Sequence, residues 1–177
     1  MGIVIREPRR AQALPLGDLH RSAMRELAGG VSVITVGEEE HRTGLTATSV
    51  TSLSLEPPSL LVCVSRDSST WSTLARYGAF AVNLLRARHA PVADRFSGRG
   101  GHKGPARYAE ASWTTLVTGA PVLADALAAF DCEVEDRIER HSHGIIIGRV
   151  MAVHFGEEGG ADPLIYWRGG YEGLGGR

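Results

Sequence analysis

The stretch "TGLTATSVTSLS", Thr43 to Ser54, constrains the fold more than any other in the chain, because its apolar positions change parity twice. Leu45 and Ala47 fall on odd numbers, Val50 on an even one, and Leu53 and Leu55 on odd ones again. Alternate residues of a strand face opposite ways, so no single regular strand puts all five side chains on one face. A break near Thr48 to Thr51 resolves the conflict. It would also leave backbone N–H groups among short, uncharged hydroxyl side chains, a setting suited to an anionic or carbonyl-rich ligand. The plainer alternative is a Thr-rich strand with a bulge.

The flanking segments predict a mainly β protein with short helices. "VSVITV" (31–36), "SLLVCVS" (59–65), "AFAVNLL" (79–85) and "PLIYWRG" (163–169) read as strands. "ALAAFDCEVEDRIER" and "GIIIGRVMAVHFG" read as a long antiparallel pair at the centre of the sheet, with Phe130, Cys132 and Val134 facing inward and Asp131, Glu133 and Glu135 outward. "GEEEHRTG" connects a hairpin with its three glutamates in solvent. "DSSTWSTLARYG" predicts a helix begun by Asp67 or Ser68 and stopped by Gly78, and "RHAPVADRF" one or two helical turns. "PLGDLHRSAMRELAGG" predicts another helix, capped by Asp18 and ended at Gly29-Gly30. Residues 1–14 have no period and read as a loose arm, with a single domain over 15–177. Few βαβ units occur, which favours an antiparallel barrel over a doubly wound sheet.

Several function classes find no support. Nineteen Lys and Arg against twenty Asp and Glu leave a formal charge of -1, which selects neither nucleic acid nor an anionic membrane. No apolar run approaches the roughly 20 residues needed to cross a bilayer, and the apolar stretch near the N-terminus is too short for a signal peptide. Cys63 and Cys132 stand far apart in apolar contexts, as buried free thiols of a cytoplasmic protein would. Gly98, Gly100, Gly101 and Gly104 match neither a dinucleotide fingerprint nor a P-loop, and instead mark a basic surface loop, "SGRGGHKGPARY". No G-x-S-x-G occurs. His141 and His143, at i and i+2, would face the same way on a strand, but a third ligand at catalytic spacing is missing, so no metal is assigned. Ser65, Ser68, Ser69 and Thr70, beside Arg66, gather at a helix start, where they serve either as an anion site or as simple caps.

Seven segments in order, from Met24 to Leu174, resemble the short-chain flavin reductase family, the reductase components of two-component flavin monooxygenases. They are "MRELAGGVSVITV", "GLTATSVTSLSLEPPSLLVCVS", "STWSTLARYGAFAVNLL", "DRFSG", "FDCEVED", "HGIIIGRV" and "PLIYWRGGY". The resemblance implies a split β-barrel that binds FMN or FAD, forms a homodimer, and reduces the flavin with NADH or NADPH for a partner monooxygenase. It also implies that Thr46, Ala47, Thr48, Ser49, Val50, Thr51 and Ser52 line the flavin. Ser65, Ser69 and Thr70 then lie near its ribityl chain and phosphate. Arg95, Phe96 and Ser97 close over the phosphate side, with Lys103 or Arg107 adding a cation. The family's Gly-Asp-His triplet, associated with the nicotinamide nucleotide, reads His141-Ser142-His143 here: the final His is kept and Ser replaces Asp. His143 alone is carried over, and no catalytic acid or base is assigned. Two other readings stay open: a flavoprotein that retains FMN as a terminal oxidoreductase, and a non-catalytic flavin-binding barrel.

Overall fold

The computed structural model describes residues 14–156 and 162–174, so the expected arm over 1–14 lies outside the described residues except for Leu14. Twelve strands and three α-helices are present among them. The strands are β1 (Gly29–Gly30), β2 (Ser32–Val36), β3 (Thr43–Ala47), β4 (Thr51–Leu55), β5 (Pro58–Ser65), β6 (Ala79–Leu84), β7 (Trp113–Thr115), β8 (Pro121–Leu123), β9 (Ala128–Arg140), β10 (His143–His154), β11 (Leu164–Trp167) and β12 (Gly170–Gly173). The helices are α1 (Leu16–Met24), α2 (Ser69–Tyr77) and α3 (Ala90–Ser97).

Seven strands form the main sheet in the order β3-β2-β6-β9-β10-β5-β4, with every neighbouring pair antiparallel. Its two edges, β3 and β4, are consecutive in the chain and separated only by Thr48, Ser49 and Val50. Edges of a flat seven-stranded sheet would stand about 29 Å apart at the usual spacing. Four Cα steps reach at most about 15 Å. The sheet must therefore curl until its edges nearly meet, yet β3 and β4 do not pair. This is a split barrel, with the break predicted at the hydroxyl run lying on the split.

Curling produces two cores, and β2 is buried throughout because it serves both. Inside the barrel, Ile34, Val36, Val62, Val64, Phe80 and Ile146 pack together. On the outer face Val33, Ala81, Leu85, Phe96, Val122 and Leu123 form the second, covered by α3 and the β7–β8 hairpin. Burial of such side chains contributes about 1.5–3 kcal/mol each.

Several local expectations need correction. Asp18 lies in the first turn of α1 rather than capping it; Pro15 takes that place, and the helix ends at Met24, short of Gly29-Gly30. Its apolar residues Leu16 and Leu19 remain exposed. Asp131 is fully buried rather than outward-facing, because Thr118 N–H (2.8 Å) and the Thr118 hydroxyl both donate to its carboxylate. The basic loop is largely wound into short 3₁₀ turns at Arg99–Gly101 and Gly104–Tyr108. By contrast α2 begins and ends as its residues predict. Ser68 accepts a hydrogen bond from Trp71 N–H, and Gly78 closes the helix in the left-handed conformation.

Candidate functional site

A cavity of about 910 Å³ opens at the split, walled by β3 and the break on one side and by the start of α2 on another. The end of α3, the basic loop and the head of β10 complete it. Of the residues expected at a ligand, Thr46, Ala47, Thr48, Ser49, Ser65, Ser69, Phe96, Ser97, Lys103 and His143 line this cavity. Five do not. Val50 packs against the barrel core, and Thr51 and Ser52 pair with Leu61 and Leu60 in the β4–β5 ladder. Thr70 is completely buried, and its hydroxyl has no partner among the described residues. Arg95 is turned away, paired with Glu110 beside a different hollow.

Most hydroxyls in the wall hold the wall together. Thr46 Oγ1 donates to Ala93 O at 2.6 Å, fastening α3 to β3. Ser49 Oγ accepts from Cys63 N–H at 3.2 Å and donates to Cys63 O at 3.3 Å. That pairing continues the β4–β5 register, since Thr51 faces Leu61 two residues on. A side chain thus replaces the backbone where the edge strand has broken off. The Thr43 and Ser69 hydroxyls bond each other at 2.9 Å, and Ser97 Oγ donates to Asp94 O at 2.8 Å. Thr48 and Ser65 are different: neither side-chain hydroxyl makes a hydrogen bond to another described residue.

Charge is gathered on one side. Arg42, the residue before the hydroxyl run, lines the cavity with its guanidinium 4.6 Å from the Tyr108 ring centroid. Its Nε is buried without a hydrogen-bond partner, and it forms no ion pair among the described residues. Arg107 also lines the cavity, but it is committed to main-chain carbonyls, donating to His102 O at 3.1 Å and to Gly44 O. Burial lowers the Arg107 pKa, with nearby Tyr108 acting the other way. Burial also raises the phenol of Tyr108 well above its ordinary value. The exposed Lys103 adds a third cation to the same loop side. Sequence reasoning missed Arg42, although a cation directly before the hydroxyls was the available signal. It also missed Cys63, which faces the cavity half-buried rather than lying in the core.

His143, the first residue of β10, is exposed to the cavity. His141 does not share its strand face as expected, because β9 ends at Arg140 and His141-Ser142 form the turn between the two strands. His141 adopts φ 50°, a left-handed conformation that glycine takes up most readily. Ser142 Oγ lies 2.9 Å from His143 Nδ1, leaving Nε2 as the ring nitrogen without a partner among the described residues. Next to it Gly144 leaves room for the Trp71 ring: a Cβ there would sit 2.2 Å from it and force the indole to move. Among the described residues, no group of three His, Cys, Asp or Glu side chains is arranged to hold a metal ion. No helix there is long and apolar enough to cross a membrane.

A family model described as flavin reductase like domain matches residues 24–175. The protein called FMN reductase (NADH) RutF from Bradyrhizobium diazoefficiens is 41% identical over 158 residues, covering 88% of this chain and 84% of that protein. FMN reductase (NADH) RutF 2 from Methylorubrum extorquens is 44% identical over 147 residues, 83% of each. Among solved structures, BorF, the flavin reductase component of a bacterial two-component tryptophan halogenase, superposes with a TM-score of 0.81 at 33% identity, covering 91% of this chain and 99% of that one. The styrene monooxygenase flavin reductase of Pseudomonas putida S12 gives 0.75 at 32%, covering 87% and 96%.

Proposed function

The chain belongs to the flavin reductase like domain family, and on that premise we propose that it catalyses the NADH-dependent reduction of FMN and releases the reduced flavin to a partner monooxygenase. The observation that carries the reading is the division of labour in the 910 Å³ cavity. Uncommitted hydroxyls of Thr48 and Ser65, the guanidinium of Arg42 and the Nε2 of His143 all line it, and among the described residues Arg42 has no ion pair and Nε2 no hydrogen-bond partner. That donor set fits a flavin mononucleotide, whose polar ring edge and ribityl chain want neutral hydrogen bonds and whose phosphate wants a cation.

When bound, the flavin accepts a hydride from NADH and, with a proton from solvent, carries both electrons away as the reduced form. The protein contributes position. Thr48, Ser65 and the backbone at the break orient the ring edge and ribityl chain. Arg42, with Lys103 and the backbone-anchored Arg107 nearby, supplies positive potential for the phosphate. His143 hydrogen-bonds the nicotinamide carboxamide and places the reductant against the flavin. No side chain need donate or accept a proton during transfer. Mostly neutral contacts suit a ligand that must also leave.

The active form is a homodimer in the cytoplasm. Support for the dimer comes from apolar side chains left in solvent by a single copy: Leu16 and Leu55 are each 82% exposed, and Phe155 is 73% exposed. Light scattering at micromolar concentration tests it, and a fully active monomer would refute it. The catalytic reading is tested by steady-state oxidation of NADH and NADPH with FMN, FAD and riboflavin as acceptors. NADH with FMN should give the highest kcat/KM. Absence of NADH oxidation with every flavin would leave only a binding role.

A further inference from the structure

The turn that presents His143 is gripped from outside the cavity by a single side chain. Arg66 follows Ser65, the β5 partner of His143, and its N–H extends that ladder one step by donating to Ser142 O at 2.9 Å. Its guanidinium then reaches across the hairpin. Nη1 donates to His141 O at 3.1 Å, and Nη2 pairs with Glu139 Oε2 at 2.7 Å. One residue therefore holds both the turn and the last residues of β9. The carbonyl it holds belongs to His141, whose left-handed backbone is strained in a residue other than glycine. On the far side of His143, Trp71 rests against the bare Cα of Gly144, with Arg137 over its ring. Arg66 does not line the cavity.

We propose that Arg66 is a positioning residue for His143, fixing the His141-Ser142 turn so that the imidazole meets the reductant already in place. The proposal rests on the reading that His143 holds NADH. A turn with a strained, non-glycine first residue has other conformations open to it once its carbonyl is released. His143 would then have to be ordered by NADH at the moment of binding, which lowers affinity without touching flavin contacts.

The test is a double-mutant cycle of Arg66→Met and His143→Ala, with NADH and FMN as ligands and hydrogen exchange of residues 140–146 as a second readout. His143→Ala should raise the KM for NADH about five-fold, as expected for one lost hydrogen bond. Arg66→Met should raise it about three- to five-fold, leave the FMN Kd within about two-fold, and speed exchange in 140–146 selectively. The double variant should be no worse than His143→Ala alone. Arg66→Lys, which keeps charge but cannot span both acceptors, should fall between, and it serves if Arg66→Met does not fold. Three results overturn the proposal: multiplicative effects in the cycle, an Arg66→Met enzyme with unchanged KM beside an impaired His143→Ala, or unchanged exchange at the turn. If His143→Ala alone leaves NADH dependence intact while exchange still rises in Arg66→Met, the reading of His143 is what failed, and the functional role of Arg66 falls with it.

Discussion

Separating Ser49 from Thr48 tests whether adjacent hydroxyls of one run do different work. Ser49→Ala removes an acceptor for Cys63 N–H at 3.2 Å and a donor to Cys63 O at 3.3 Å. Both bonds are long, but their loss strands a half-buried peptide group at the barrel's split. About 1–2 kcal/mol of stability should go with them. For a chain of this size that corresponds to a fall in Tm of about 3–6 °C. Thr48→Val keeps the β-branched shape at an exposed position, so Tm should move by less than about 1 °C. Its hydroxyl has no hydrogen-bond partner among the described residues and lines the cavity, so the FMN Kd should rise about five-fold, the equivalent of roughly 1 kcal/mol. Differential scanning calorimetry of the free proteins and flavin fluorescence titration give the two axes. A Ser49→Ala protein that melts normally but binds FMN weakly would refute the assignment of Ser49 to the barrel. A Thr48→Val protein with unchanged Kd would remove Thr48 from the flavin.

Other expectations follow from single side chains. Arg42→Ala should weaken FMN binding about ten-fold or more, as expected for a charge-assisted phosphate contact, while riboflavin affinity stays the same; equal losses for both ligands would move the phosphate elsewhere. Iodoacetamide should label Cys63 and not Cys132, whose thiol burial pushes up to about 12, and saturating FMN should protect Cys63; peptide mass spectrometry reads both sites. Burial pushes the Asp125 carboxyl upward, but hydrogen bonds from Arg88 and His89 outweigh this and hold it below its ordinary value. A depressed carboxylate stabilises the fold above its unfolded pKa and loses that contribution as pH falls through the folded value. Asp125→Asn should therefore lower Tm by a degree or two at pH 7, a small effect because the group is half exposed, and make no difference once the pH has fallen below the folded pKa. An equal deficit at pH 7 and below that pKa would mean that packing, not charge, accounts for it.

The barrel was legible wherever local pattern and long-range packing agree. The parity slip pointed to a break near 48–51, which the structure has at 48–50, and alternating residues marked β9 while a long apolar run marked β10, because those strands are long enough for pattern to show. Short elements left no such trace. β7, β8 and β12 have three or four residues each, several of them Thr or Gly, and their existence depends on the partner strand rather than on their own sequence. Asp131 misled for the same reason. Its alternation was read correctly, but the outer face is covered at that point by Thr118, thirteen residues away and invisible to any window over β9. The site was legible as composition and not as wiring. The hydroxyl run and His143 converge on the cavity, whereas the bonds that commit Thr46 and Ser49 to the scaffold depend on where α3 and β5 come to rest. The His141-Ser142 turn carries no glycine or asparagine to announce it.

The three-residue crossing between the sheet edges works as a caliper. Its length limits how far the two margins of the barrel can part, and one inserted residue would let them separate by up to about 3.5 Å. Such an insertion would also swap which side chains face the ligand, and it would pull Ser49 out of step with Cys63. Aperture and ligand chemistry are thus written in the same tripeptide and cannot drift independently. Descendants that accommodate a bulkier guest have to make room elsewhere, and the basic loop, where Gly98, Gly100, Gly101 and Gly104 all carry positive φ, is held to β3 by the Arg107 side chain and not by chain length.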